Sequence, residues 1–539
     1  MGGGDAAAGP GAGGAGAPGG AGGEVTRPRG PPPPAPRRPA AVTKEDSSSP
    51  AAGAGRRGRR AEVLAPGSRG DFLPALGLAR ALGARGLEVR LACHAGFLAE
   101  ARAALAGVGA ARTLSGADPV ESRGGAGASG AAAEKLWATT RREYLEALEW
   151  VGTSGVVVFN FFSSPVLHLL ESSGVQGVAL LQQPLLPSPA RPHFLFADPK
   201  MRRCLGPLAA TAAAKRRAGR PRPTGVEEKE AFLNLCSYPA AEAILWLPFR
   251  GPLEAWRAER GLPAAPGGGH FQLLREQLRV PVVYTFSREL LGGAGEAGTS
   301  AARADSEGNS SAWYCGACEP PLPAPSPSSE LREFLAPGGA QGAGSGAWRQ
   351  GLAYVGFGSS ARALRRPENA LGIVQGLVVA GFKVVACERL WNALPGDTSR
   401  LHPLRREARV HACGFVPFQW LFEQLDLVVH HGGGGTFAAA CAAGVPQLVA
   451  PVEFDQSFWA ARGQALGVAP APLHAAAADA ALSAATVSAA LGEAAAPQRR
   501  VRARELAARL RRETGHGAFA AADKILATLY GPVPGPPSS

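Results

Sequence analysis

The sequence predicts an α/β protein of two Rossmann-like domains facing a central cleft, with a disordered N-terminal arm. Three observations carry that expectation. Short apolar runs alternate with helix-period stretches in both halves of the chain, the pattern of strand–helix–strand units that build parallel sheets. Several apolar runs end in glycine, as in "VLAPGSRGD", "LAYVGFGSS" and "LVVHHGGGG". The chain has 539 residues, 46% of them hydrophobic, enough for two domains of ordinary size with tails.

Residues 1–60 are Gly/Ala/Pro with a PPPP run, and hold nine Lys/Arg against four Asp/Glu. Such a segment buries too little apolar surface to offset its ordering entropy, so it is expected to be a disordered arm. The first strand is placed at Ala61–Ala65. A helix with Leu76, Leu78, Ala79 and Leu82 at helical spacing follows, then Gly86 and a strand at Glu88–Ala92. "GVVVFNFF" and "GVALLQQPLLP" read as further buried strands with loops at their ends. These make an N-terminal domain over 61–320. The Pro/Gly/Ser-rich stretch 321–348 is expected to be the linker. A second α/β series then fills 349–515: "LAYVGFGSS", a helix, Gly381 and a strand, "ARVHACGFVPFQWLF", and "LDLVVHHGGGGTFAAACAAGVPQLVAP". The tail reads as two helices broken near Gly515, the last of them (516–530) crossing back to the N-terminal domain.

Composition narrows the function classes. The net charge is +13. Part of that excess lies in the arm, and elsewhere the basic residues are dispersed without interleaved aromatics. That is a solvated basic surface and not a nucleic-acid face. Of eight cysteines only Cys315 and Cys318 form a CxxC, with no second pair or nearby His to complete a metal set. No metal and no cofactor are expected, and reduced thiols fit an intracellular protein. The first residues lack the apolar core of a signal peptide, and Ala6 stands where myristoylation requires Ser or Thr. Glu242 interrupts the apolar run Ala231–Phe249, and Lys383 interrupts Leu371–Cys387. The expectation is a cytoplasmic or peripheral membrane protein, with an organelle transit peptide in the arm left open.

The chemistry is densest at Val428–Thr436. A strand that ends in glycines and opens a helix aims backbone N–H groups and a positive dipole end at whatever fills the gap. Glycines let that backbone approach a diphosphate closely, and the Thr436 hydroxyl and His431 can both bond to the same anion. The spacing is neither GxGxxG nor a P-loop. Taken alone, the stretch serves equally well as a tight turn with a capping Thr and a core histidine.

Over its length, "HHGGGGTFAAACAAGVPQLVAPVEFDQSFWAARGQALGV" resembles the HHGGAGT…AGVP…P…DQ…WA signature of sterol 3β-glucosyltransferases and related UDP-sugar-dependent GT-B enzymes. Other segments match the same family in order: "GSRGDFLPALGLARAL", "LACHAGF", "LLQQPLLPS", "VPVVYTFSREL" and "AYVGFGSS". The resemblance implies the GT-B fold, with a UDP-sugar on the C-terminal domain and the acceptor on the N-terminal one. It implies diphosphate contacts at His431, Gly433, Gly435 and Thr436, and at the Gly358–Ser359 turn. Asp455 and Gln456 would hold sugar hydroxyls, and the backbone of Val416 the uracil. Asp71 would be the general base, with Ser68 and His94 beside the acceptor. A carboxylate within reach of the attacking hydroxyl can take its proton as the new bond forms. Asp71 also suits a purely structural cap on the helix that follows it.

Two departures from the family pattern stand out. Phe418 and Gln419 occupy the polar positions of the turn that packs the uracil, and Gly434 replaces a usual alanine. The implied activity is inverting transfer of a hexose, glucose by preference, from UDP to a hydroxyl of a lipophilic acceptor, a sterol by preference. Another lipid, polyketide or flavonoid acceptor, or a catalytically silent relative that binds nucleotide-sugar or lipid, is the alternative. "AFLNLCSYPAAEAILWLPF" could line the acceptor pocket, touch a membrane, or be an ordinary buried helix.

Overall fold

Among the described residues, twelve strands form two parallel sheets in the computed structural model. The structure describes residues 59–114, 130–205, 226–246, 250–265, 270–292, 312–318, 327–336, 351–363, 366–394, 409–474, 482–513 and 517–531. The expected disordered arm, save its last two residues, lies outside these, as does most of the expected linker.

The first sheet contains β1 (Arg60–Ala65), β2 (Glu88–Cys93), β3 (Ala110–Thr113), β4 (Val156–Phe159), β5 (Gln176–Leu181), β6 (Val282–Tyr284) and β7 (Ala312–Tyr314). Their order is β3-β2-β1-β4-β5-β6-β7. The second contains β8 (Leu352–Gly356), β9 (Lys383–Cys387), β10 (Val410–Cys413), β11 (Leu427–His430) and β12 (Gln447–Val449), ordered β10-β9-β8-β11-β12. Helices cover both faces of such sheets, so the central strands are mostly apolar; every residue of β4 and of β11 is buried. In each sheet the strand order reverses at one point, between β1 and β4 and between β8 and β11. Ligands of open α/β sheets bind in the crevice beyond the carboxyl ends of the strands at such a reversal.

Helix α1 (Arg69–Ala84) follows β1 and buries Leu76, Leu78, Ala79 and Leu82, the positions its periodicity marked. Helices α2 (Phe418–Phe422), α3 (Gly434–Ala443), α4 (Gln456–Ala465) and α5 (Pro497–Arg512) belong to the second half. The last helix, α6 (Ala518–Tyr530), packs Ala521, Ala522, Ile525 and Leu526 into the core around β1 and α1. Arg85 holds Asp523 through two bonds of 2.6 and 2.7 Å. Thus α6, the last described helix, packs against the first described strand and helix. Cys315 and Cys318 are buried free thiols in that same core.

The apolar core is continuous between the halves: Phe437, Trp459 and Leu506 share one cluster with Tyr284, Phe286 and Leu290. Within the expected linker, residues Ser329–Leu335 form a helix instead of open coil. Ser328 caps it and Leu331 and Leu335, one turn apart, bury themselves with Tyr354 and Val385. The sequence reading placed no strand at β3 or β7, which are too short to show an alternation.

Candidate active site

The loop after β1 builds the first wall. Ser68 precedes α1, and its backbone N–H and its hydroxyl both donate to Asp71 Oδ2, at 2.9 and 3.0 Å. Asp71 therefore closes a capping box as the third helical residue, and its side chain is buried. Gly67 has φ +118°, and a Cβ there would lie 2.6 Å from Asp71 Oδ2 and 2.9 Å from Phe162. Only glycine fits between them. The Gly67 N–H donates to His94 Nε2 at 3.1 Å. His94 thus props the loop from behind.

Arg69 makes two 2.8 Å bonds to Glu100, and its guanidinium lies 3.9 Å from the Phe415 ring centre. That contact joins the β1–α1 loop of the first half to the β10–α2 turn of the second. Beside it Phe162, which follows β4, meets Phe454 edge-on at 6.4 Å. Phe454 has φ +54°, a conformation that a bulky residue holds only when its neighbours fix it.

The loops after β8 and β11 build the opposite wall. Gly358, at φ +52°, opens a tight turn with Ser359 and Ser360. His431 lies between two glycines: a Cβ on Gly358 would sit 3.2 Å from its Cε1, and one on Gly433 2.7 Å from its Nε2. Burial pulls the His431 pKa down to about 4, so the ring is neutral at pH 7 and offers one N–H. Gly433 caps α3; Gly435 is exposed and Thr436 partly so at the helix mouth, where the first-turn N–H groups lack intrahelical partners. His430, fully buried, bonds Gln447 Oε1 through Nε2 at 2.8 Å and accepts the Gly432 N–H at Nδ1 at 3.0 Å. It fixes the shape of the turn and stays neutral, since burial holds it near 3.

Asp455 precedes α4 and accepts the Trp459 indole N–H at 2.9 Å. Burial, chiefly, raises its pKa to about 7; the Asp71 charge adds to the rise, while bonds from Trp459 and Gln183 oppose it. Two carboxylates, one from each half, therefore sense each other at the β1–α1 loop. The Gln456 side chain is held by its neighbours. Its Oε1 accepts from the N–H groups of Val452 and Glu453 at 2.8 and 3.0 Å, and its Nε2 donates to Ser360 Oγ at 2.9 Å. With both Oε1 lone pairs and one of its two amide protons so used, Gln456 ties the β12 loop to the β8 turn and keeps one N–H to offer.

Val416 is buried and leads into α2 through Pro417. The departure at Phe418 has a packing cause: its ring stacks on Phe422 at 4.5 Å and meets Tyr354 at 5.7 Å. A side chain drawn into the core cannot serve as a polar neighbour of a base, and Gln419 beside it is exposed. The structure also brings in Ser360, Trp459, Gln183 and the Arg69–Phe415 contact, none of which the sequence reading assigned. Trp459 and the Gln pair stood inside recognised motifs, but their partners lie 4 residues or half a chain away.

The fold is GT-B. A glycotransferase of kitacinnamycin superposes with TM-score 0.54 at 19% identity, covering 86% of this chain and 98% of that one. Phytolacca americana UGT2, solved with UDP-2fluoro-glucose and pterostilbene, gives TM-score 0.54 at 14% identity, covering 88% and 99%. Within that class the sequence is sterol 3-beta-glucosyltransferase-like. The Saccharomyces cerevisiae sterol 3-beta-glucosyltransferase is 34% identical over 146 residues, 26% of this chain and 11% of that protein. The Candida albicans one is 23% identical over 421 residues, 75% of this chain and 24% of that protein. The matches thus span at most about a quarter of these relatives. Residues 399–515 match the model of the erythromycin biosynthesis protein CIII-like C-terminal domain. Among the described residues no group of three or more His, Cys, Asp or Glu is arranged to hold a metal ion, and no helix is long and apolar enough to cross a membrane.

Proposed function

We propose that the protein is an inverting glycosyltransferase that moves glucose from UDP-glucose to the hydroxyl of a sterol. The observation that carries this reading is the meeting of two walls: the α3 mouth with His431 and Asp455 on one, Asp71 on the other. The UDP diphosphate lies at the α3 N-terminus, beside Gly358, Ser359, Gly433, Gly435 and Thr436, and the uracil stacks near Val416. The acceptor oxygen attacks the anomeric carbon as the bond to the β-phosphate oxygen breaks. Asp71 takes the hydroxyl proton, and the departing UDP is stabilised by helix N–H groups and the His431 N–H. One displacement inverts the anomeric centre and needs no covalent intermediate.

Ser68 sits beside the acceptor, while His94 acts through the loop it supports. Sterol is favoured as acceptor because the curated relatives carry that name and because Phe162 and Phe454 flank Asp71 with apolar surface. Peripheral membrane contact is part of the proposal, through the helix Val226–Trp246, on which Leu235 and Ile244 are exposed. The domain limits that follow are 61–320 for the acceptor half and 349–515 for the donor half, with the last helix completing the first.

The test is release of UDP and formation of steryl glucoside from UDP-glucose and a sterol. Asp71→Asn should lower turnover by about 100-fold or more while UDP still binds. Binding of UDP with no transfer to any acceptor of a sterol, diacylglycerol and flavonoid panel would sink the enzymatic reading.

A further inference from the structure

Buried polar atoms in native proteins almost always have partners, so a cluster of orphans asks for a ligand. The loop after β5 holds such a cluster. Both amide atoms of Gln182 and the Oε1 of Gln183 are buried and bond to nothing in the protein. The other end of Gln183 is engaged, since its amide N–H₂ bonds the Asp455 carboxylate. That bond fixes the orientation of the amide and leaves the carbonyl oxygen as the end without a partner.

The location is as telling as the lack of partners. A Cβ on Gly434, the first residue of α3, would lie 3.4 Å from the Gln182 carbonyl oxygen and 2.9 Å from Trp459 Nε1. The β5 loop of the first half therefore comes within van der Waals distance of the donor helix of the second. An alanine Cβ there would only touch the Gln182 backbone oxygen; it is Trp459 that the glycine leaves room for. Next to the loop, Trp459 bonds Asp455, and Asp455 senses the charge of Asp71. Gln456, by contrast, has its carbonyl oxygen fully occupied and only one amide N–H left to offer.

We infer that Gln182 and Gln183 are the first half's contribution to donor recognition, and that their unpaired amide atoms bond hydroxyls of the hexose carried by the nucleotide. This rests on the glycosyltransferase reading above. Adjacent hydroxyls both donate and accept, and Gln182 presents one donor end and one acceptor end, while Gln183 adds a second acceptor. The pair supplies acceptors that Gln456, whose Oε1 is already occupied, cannot. Because the pair belongs to the half opposite the diphosphate site, a bound sugar joins the halves where UDP alone would not.

The experiment compares binding of UDP and of UDP-glucose to the full chain by calorimetry, in the wild type and in Gln182→Met and Gln183→Met. Methionine keeps the length and volume and removes the polar ends. UDP should bind each variant within about twofold of wild type, and UDP-glucose about tenfold more weakly. The ligand-free Gln182→Met protein should melt no lower than wild type, since it loses two orphaned polar atoms and no bond. A residue with a merely structural role would shift melting and weaken both ligands together. If a methionine variant does not fold, Gln182→Asn and Gln183→Asn, which retract the amide by one methylene, replace it under the same criteria. UDP-glucose affinity unchanged within twofold in both variants, or equal weakening of UDP and UDP-glucose, overturns the inference while leaving the enzyme reading intact. Wild-type protein that binds neither nucleotide overturns both.

Discussion

Asp455→Asn should stabilise the ligand-free protein above neutral pH while impairing the donor site. The Asp455 carboxyl has a folded-state pKa of about 7 against an ordinary value of 3.8. The folded state therefore holds its proton more tightly than the unfolded chain does. Folding is favoured by this group at low pH, and the contribution is lost as pH rises from about 4 through about 7. A separation of about 3 units at 1.36 kcal/mol each sets a ceiling of about 4 kcal/mol for the penalty carried at pH 8. Asparagine removes the charge and keeps an oxygen for the Trp459 indole, and its amide N–H₂ suits a reoriented Gln183 carbonyl. At about 2 °C per kcal/mol for a chain of this size, Asp455→Asn should melt several degrees above wild type at pH 8 and equal it near pH 4. Thermal melts of both proteins at six pH values between 4 and 9 measure this. Other groups, Glu62 among them, have raised values too, and the difference between the two proteins cancels them. Parallel curves across that range would refute the assignment of a buried, reluctantly ionised carboxylate at Asp455.

Three further outcomes are expected. Gly433→Ala places a Cβ 2.7 Å from His431 Nε2, so the imidazole or the α3 mouth must shift, and UDP affinity should fall about tenfold in calorimetry. Gln456→Ala removes the acceptor of two backbone N–H groups and the partner of Ser360, and should destabilise the ligand-free protein by about 2 kcal/mol in urea melts; unchanged stability with weakened sugar binding would instead return Gln456 to the sugar. Glu62, fully buried on the central strand β1, bonds Arg90 and Arg112 at 2.5 and 2.6 Å. Glu62→Gln removes the buried charge between two guanidiniums that keep Glu146 at 3.3 and 3.6 Å, and should cost about 2 kcal/mol, read by the same melts, with no change in the ratio of UDP to UDP-glucose affinity.

Much of this protein was legible along the chain. The runs Val156–Phe159 and Leu427–Val429 declare themselves as buried strands because no polar residue interrupts them, and α1 and α6 show a helical apolar spacing. The glycines that bracket His431 were visible as glycines, and Asp71 as a carboxylate after a Gly-Ser turn. Local sequence determines such features because they depend on backbone freedom and on which face of one element is apolar.

Whether Asp71 would cap a helix, face a cleft or do both could not be read from it, because that depends on Gly67, His94 and Phe162 closing around it. The surroundings of Gln456 and of the Gln182–Gln183 pair were hidden for the same reason. An amide's function is decided by which partners reach it, and those of Gln456 are Ser360, about a hundred residues earlier, and its own turn. Phe418 likewise looked like a damaged uracil contact until Phe422 and Tyr354 supplied the packing that explains it. What the sequence by itself determined was two glycine-edged parallel sheets and the residue types at their reversal points. Only the tertiary structure decided which polar atoms are already satisfied and which still lack a partner, since hydrogen bonds and burial are set by contacts between residues far apart in the chain.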